Sequence, residues 1–251
     1  MLGMVCRPTA ADVNVVALIR ERGREVKEFL EKDLSEEGPQ RSIVIEATSD
    51  QPLLGRLRGA YLATVIAEYF RDQGKHVVLM MDSITRLAHA QREIGLAVGE
   101  PPMSKGYPPS VFAMLPRMLE RVEPARGGTL TGLYTVLVEG DNLMEPIADS
   151  VRSWVDGHIV LTREFASNGH FPAIDVLQSV SQVMADIVQP DIMESARYLK
   201  ELMALHRDAE DLINLGTDRP GTNARLDLAV GMMDTRTQCL RQSIKERASL
   251  V

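Results

Sequence analysis

Three short runs in this chain of 251 residues set reactive residue types at spacings that could do chemistry. The first is His76–Asp82, HVVLMMD, an apolar run closed by a carboxylate. An apolar strand buries itself in a sheet and delivers its last residue to the carboxyl edge, where open α/β folds bind ligands. A carboxylate there can hold the water shell of Mg2+, which is the shape of a Walker B segment. The second run is RERGRE, residues 20–25, directly after the apolar run Val13–Ile19. A glutamate leaving a strand can polarise an attacking water, and arginines beside it can hold phosphate oxygens. The third is Asp82-Ser83-Ile84-Thr85-Arg86, where Arg86 lies one helical turn beyond Asp82, so that both can face one spot. An arginine there would sense or stabilise transferred charge. A fourth run, Gly106-Tyr107-Pro108-Pro109, is a candidate mobile segment at a subunit or ligand interface.

Each run also has a plainer reading. An Asp or Ser after a strand is an ordinary N-cap. Charges in a first helical turn are common on solvated helices. Arg86 reads equally as a helix-surface residue, and residues 106–109 as an ordinary surface loop. Local pattern leaves both readings open.

The elements that would position these residues follow from apolar periodicity. Short β-branched or apolar runs at 13–19, 42–47, 76–81, 129–138 and 158–163 read as strands. Helices are expected over 22–34, 53–73, 83–98 and 111–122, with Gly74 as a C-terminal stop and a Gly/Pro-rich loop over 99–109. Near-continuous apolar strands alternating with helices imply a parallel sheet covered on both faces. Beyond residue 189 the strands stop, and apolar residues recur at helical spacing over 191–215 and from Leu226 to Ile244, around a loop at 216–223. The expected organisation is an α/β domain over 1–188 and a small all-helical domain over 189–251.

Composition narrows the partners. A net charge of −7 argues against a nucleic-acid binder, since phosphate neutralisation wants a basic surface. Cys6 and Cys239 are far apart and the five histidines form no H-x-x-x-H pair, which fits a reducing cytosol and argues against a protein-ligated metal cluster. No apolar stretch approaches the ~20 residues that span a bilayer. The first residues do not read as a secretory signal.

Taken together, longer runs become distinctive. ALIRERGREVKEFLEKDL, the stretch from IEATSDQPLLGRLRGAYL through HVVLMMDSITRLAHAQREIGLAVGEPP, KGYPPSVFAMLPRMLERVE and the run from LTGLYTVLVEGDNLMEPIADS to FPAIDVLQSVS resemble the ATPase of type III protein export. That family serves flagella and injectisomes and is related to the catalytic β subunit of rotary ATP synthases. The likeness covers essentially the whole chain, and the GEPPMSKGYPPSVFAMLPRMLERVE run fits the export branch better than a rotary subunit.

The resemblance implies a RecA-like α/β ATPase core, here N-terminally incomplete, followed by a helical domain, with ATP and Mg2+ bound between subunits of a hexamer. It places the catalytic glutamate on Glu21, with Arg22 beside it near the phosphates. It places the Walker B aspartate on Asp82, holding Mg2+ through water, and a phosphate-contacting arginine on Arg86. The aromatic residue near adenine falls on Phe171. The partners it implies are export chaperones and substrates, a central stalk protein, a peripheral stator protein and the membrane export gate, with no nucleic acid. The location it implies is cytoplasmic, peripheral at the inner face of the cytoplasmic membrane. The QPLLGRLRGAYLATVIAEYFRDQG stretch looks flagellar rather than injectisome.

Three departures bear on activity. The family's Gly-rich phosphate loop is not among residues 1–251, and Leu2-Gly3-Met4 resembles the start of the helix that follows it. On that reading a chain starting at Met1 is expected to bind ATP poorly and to be inactive alone. The arginine-finger position of the S-x-S-R run carries Gln182, and the position before the catalytic glutamate, usually Gly, carries Arg20, which can displace Glu21. A finger arginine supplies roughly 10³–10⁵ in rate in GTPases. The alternative these departures raise is a truncated or degraded, inactive paralogue acting only as an interaction module.

Overall fold

The computed structural model describes residues 2–6, 9–34, 39–214, 221, 223–243 and 246. The expected loop at 216–223 and the end of the last helix at Ile244 lie largely outside them. The chain forms two compact units, Met1–Val155 and Asp156–Val251.

The first unit is built on a four-stranded parallel sheet of order β2-β1-β3-β4. Its strands are β1 (Val13–Ile19), β2 (Ser42–Ala47), β3 (His76–Asp82) and β4 (Thr129–Tyr134). The two most continuously apolar strands, β1 and β3, take the centre, as a sheet covered on both faces requires. Their side chains sort by the two-residue period of a strand. Val15, Ala17, Ile19, Val77, Leu79 and Met81 face α3 (Leu53–Asp72), α4 (Ile84–Ala97) and α5 (Pro109–Leu119). Val16, Leu18 and Met80 face the opposite way and pack with Cys6 of α1 (Leu2–Cys6), Val26 of α2 (Gly23–Glu28), Phe29 and Leu34. Both faces are therefore covered, each buried Val or Leu contributing about 1.5–3 kcal/mol. Ala60, Ala63 and Ala67, all fully buried, let α3 lie close on the sheet.

Three local expectations change. The helix expected over 22–34 is α2 followed by a wider π turn, Phe29–Asp33. The strand expected over 129–138 ends at Tyr134, beyond which the chain passes from the last residues of β3 to the first turn of α4. Thr135 N–H donates to the Met81 carbonyl at 3.0 Å, and Leu137 N–H to Thr85 Oγ1 at 2.8 Å. The loop before α5 is packed: a Cβ on Gly95 would come within 2.7 Å of Pro108 Cγ, so a glycine in α4 lets this loop close in. A short helix, α6 (Pro146–Arg152), completes the unit.

In the second unit β5 (Gly157–Leu161) pairs antiparallel with β6 (Ile174–Ser181), around α7 (Arg163–Ser167). The strand expected over 158–163 ends two residues early because Thr162 caps α7, its hydroxyl accepting from Phe165 N–H. After α8 (Met184–Ile187), α9 (Pro190–Asn214) packs on β6 and on α10 (Ala224–Gly231). The last predicted helix is two, α10 and α11 (Met233–Leu240), breaking at Met232. The compact units divide at 155/156, ahead of the boundary expected at 188/189, because β5 pairs with β6 and β6 carries α9. Among the described residues no helix is long and apolar enough to cross a membrane.

Candidate functional site

The parallel register sets Leu18 of β1 against Asp82 of β3, so both strands deliver their carboxyl ends to one edge. Just past β1 the chain must leave the sheet and start α2. It does so at Arg20, whose φ of +62° is left-handed. Arg20 N–H donates to the Ala47 carbonyl at 2.7 Å, and Ser49 N–H to the Glu21 carbonyl at 3.2 Å. These bonds pin Glu21 beside the end of β2, and Glu21 is 9% exposed. Arg22, in extended conformation, is the N-cap of α2.

At the end of β3, Ser83 caps α4, its hydroxyl accepting from Arg86 N–H at 3.3 Å. This aims Arg86 across the edge toward β1. Its guanidinium donates to the Arg20 carbonyl at 3.0 Å and forms an ion pair with the Glu21 carboxylate. Asp82 is held separately: Thr135 Oγ1 donates to its carboxylate at 2.7 Å. Arg86 thus partners Glu21 rather than Asp82. Thr135, which the sequence reading missed, orients the aspartate. Nothing local signals it, since it lies on the next strand's continuation.

Burial pushes the Glu21 carboxyl above its ordinary range, with a hydrogen bond to Glu25 and the Asp82 charge adding to it and Arg86 only partly opposing it. Glu25 moves the other way, first through that same hydrogen bond and then through Arg22. A carboxyl shifted upward moves toward the range in which a general base works.

An open cavity of about 980 Å³ spreads from this edge, lined by Arg20, Arg22, Arg86, His89, Arg92 and Lys105, with Tyr107, Glu25, Glu139 and Glu145 among its other walls. Tyr107 is 7% exposed, stacked on His89 with centroids 6.0 Å apart and under the Arg92 guanidinium at 5.1 Å. Of the run at 106–109, expected either as a mobile segment at a subunit or ligand interface or as an ordinary surface loop, Tyr107 is a wall of the cavity. Burial and the neighbouring Arg92 hold His89 below the usual histidine range.

Phe171 and Gln182 belong to the second unit. Phe171 is 57% exposed, precedes a cis proline, and accepts from Gln242 N–H at 3.0 Å. Gln182 is exposed just after β6, its N–H donating to the Asp156 carbonyl at 2.7 Å. Another missed residue is Asp175, a 3% exposed carboxylate on β6. It accepts from Arg207 of α9 at 3.1 Å, from the Gln178 side chain at 2.8 Å and from the Leu177 and Gln178 N–H groups. An Asp between the apolar residues Ile174 and Val176 is the signal that could have found it.

A parallel α/β sheet with carboxylates and arginines at its carboxyl edge, opening on a cationic cavity, defines a nucleotide-binding class of protein. The chain belongs to the ATP synthase alpha/beta family, whose nucleotide-binding domain matches residues 1–181, and residues 188–251 match the T3SS EscN ATPase C-terminal domain. It is 54% identical over 250 residues to the flagellum-specific ATP synthase of Bacillus subtilis, covering 100% of this chain and 57% of that protein. It is 50% identical over 242 residues to the type 3 secretion system ATPase of Xanthomonas euvesicatoria, covering 96% of this chain and 55% of that protein. Among solved structures, the assembled ATPase EscN of the enteropathogenic Escherichia coli type III secretion system superposes with a TM-score of 0.95 at 48% identity, covering 99% of this chain and 60% of that one. EscN in complex with its central stalk EscO superposes with a TM-score of 0.92 at 47% identity, covering 99% of this chain and 59% of that one. The chain thus spans just over half the length of the curated relatives it matches.

Proposed function

We propose that this chain carries the catalytic edge of an ATPase that drives protein export through a type III apparatus, flagellar in preference to injectisome. The observation that carries this reading is Glu21, buried at the carboxyl edge, raised in pKa and held by Arg86. The substrate is ATP. Glu21 orients the attacking water and takes up its proton as the water oxygen bonds to the γ-phosphorus and the bond to ADP breaks. Arg22 and Arg86 hold phosphate oxygens and the charge that moves onto the leaving ADP. Phe171 offers an aromatic face for adenine.

Among the described residues no group of three or more His, Cys, Asp or Glu is placed to hold a metal ion. A single carboxylate, Asp82, oriented by Thr135, fits a Mg2+ held mainly by waters and phosphate oxygens rather than by a protein cage. Bound there, Mg2+ supplies neutralisation of charge on the transferred phosphoryl group.

The relatives include both flagellum-specific and type 3 secretion ATPases, the flagellar preference resting on the 51–74 stretch, and the solved EscN assemblies support an oligomer with a central stalk partner. We carry the flagellar preference and the assembly with its stalk to this protein, as a homo-hexamer. Export chaperones and their substrates, the stator protein and the membrane gate, met at the inner face of the membrane, complete the reading. The second family match begins at residue 188, within the second compact unit, which supports reading the residues from there on as a separate functional segment. Gln182, at the finger position, offers a hydrogen bond without the charge of an arginine.

The test is hydrolysis of MgATP by the product of the complete reading frame. Turnover that disappears in Glu21→Gln supports the reading. No turnover at any protein concentration overturns it in favour of a binding module. Loss of flagella, with other secretion intact, on deletion of the gene would assign the apparatus.

A further inference from the structure

We propose that Arg20 is a phosphate-binding side chain of the cavity, kept there at the expense of backbone strain. The inference rests on the nucleotide reading above and adds a residue to it.

The backbone is the first observation. Arg20 sits at φ +62°, a conformation that costs a side-chain-bearing residue about 1–2 kcal/mol relative to the right-handed region and that Gly or Asn adopts more readily. The turn demands it, because the Arg20 N–H is committed to Ala47 at 2.7 Å and its carbonyl to Arg86 at 3.0 Å. A long side chain in such a place is the outlier from which function is argued.

The charge balance is the second. Three carboxylates at this edge are already answered, Glu21 by Arg86, Glu145 by Lys105 at 3.2 Å and Glu25 by Arg22 at 3.9 Å, leaving Glu139 as the one lining carboxylate without an ion pair among the described residues, against two cations, Arg20 and Arg92, that have none either. Arg20 lines the same cavity, and its guanidinium makes no hydrogen bond or ion pair among the described residues. Arg92 is engaged with the Tyr107 ring and brings a further positive charge. An unanswered guanidinium beside other cations destabilises an empty cavity and favours a polyanion in it. A nucleotide's phosphate chain is that polyanion, and a guanidinium takes its oxygens in bidentate fashion.

Calorimetric titration of the complete-reading-frame protein with MgATP, MgADP and AMP tests this, comparing the unaltered protein with Arg20→Gly, Arg20→Asn and Arg20→Lys. The expected result is an ATP dissociation constant raised on the order of 10- to 100-fold in Arg20→Gly and Arg20→Asn. The loss should be smaller for ADP, absent for AMP and partial in Arg20→Lys. Thermal midpoints should be unchanged or higher in the Gly and Asn variants, since the strain is gone. Equal ATP affinity in all four proteins overturns the inference alone. So does a uniform loss across the three nucleotides, or a lowered midpoint in both Gly and Asn variants, either of which marks a structural role. Failure of the unaltered protein to bind any nucleotide overturns the nucleotide reading and this inference with it.

Discussion

Each unit of this molecule sets a carboxylate from a strand or its end against an arginine from a following helix, and the two pairs behave oppositely. In the second unit Asp175 receives Arg207, the Gln178 side chain and two backbone N–H groups. Burial works to raise its pKa, but these donors outweigh it and the net shift is down. In the first unit Glu21 is buried with Arg86 as its cationic partner and a second carboxyl, Glu25, beside it, and the net shift is up. A satisfied carboxylate holds structure together, whereas a buried, under-served one is poised to accept a proton. The comparison teaches that ion-pairing does not define the role of a carboxylate; the number of donors aimed at it does.

The comparison can be broken by treating both pairs alike. Glu21→Gln should cut ATP hydrolysis by about 10²–10⁴-fold while leaving the thermal midpoint of the first unit unchanged or raised. A comparable loss of stability would make Glu21 structural and end the contrast. Leu79→Ala, at the fully buried centre of β3, should cost about 3 kcal/mol in denaturant unfolding. Asp175→Asn should destabilise the second unit by about 2 kcal/mol, below the cost of breaking a fully buried pair, because Arg207 is 41% exposed and stays partly solvated.

The pH dependences sharpen the contrast further. A carboxyl with a depressed folded pKa contributes stability that is present above its unfolded pKa and lost as pH falls through the folded one. The Asp175 contribution should therefore be lost only below the ordinary aspartate range, and Asp175→Asn should flatten acid unfolding there. For Glu21 the sign reverses: its folded pKa is raised, so the acid limb of kcat/KM should lie above the ordinary glutamate range and vanish in Glu21→Gln. The smallest effect is expected at Thr135→Val, which frees the Asp82 carboxylate. It should weaken the Mg2+ dependence of hydrolysis by roughly tenfold with kcat at saturating Mg2+ nearly kept.

Much of the first unit was legible in the sequence. Val13–Ile19 and Ser42–Ala47 form the strands expected of them, and His76–Asp82 extends its own by a single residue. Their apolar runs are too short for helices and bounded by turn residues. The second unit was less legible. Ile174–Ser181 escaped notice because polar residues alternate through it, and the split at Met232 interrupts a run whose apolar spacing reads as continuous. At the carboxyl edge, local pattern pointed to Glu21, Arg22, Asp82 and Arg86 but left a plainer reading open, and the roles expected of them came from the family resemblance. Thr135 and the packing of Tyr107 between His89 and Arg92 were not legible, since both depend on segments distant in sequence.

The sequence by itself determined that a parallel sheet forms and which residues reach its carboxyl edge, because burial and the two-residue strand period are local properties. Only the tertiary structure decided who meets whom at that edge. Placing β1 between β2 and β3 is a non-local choice. It turns Arg86 toward Glu21, leaves Asp82 to Thr135, and confines Arg20 to a left-handed turn whose two hydrogen bonds come from other parts of the chain.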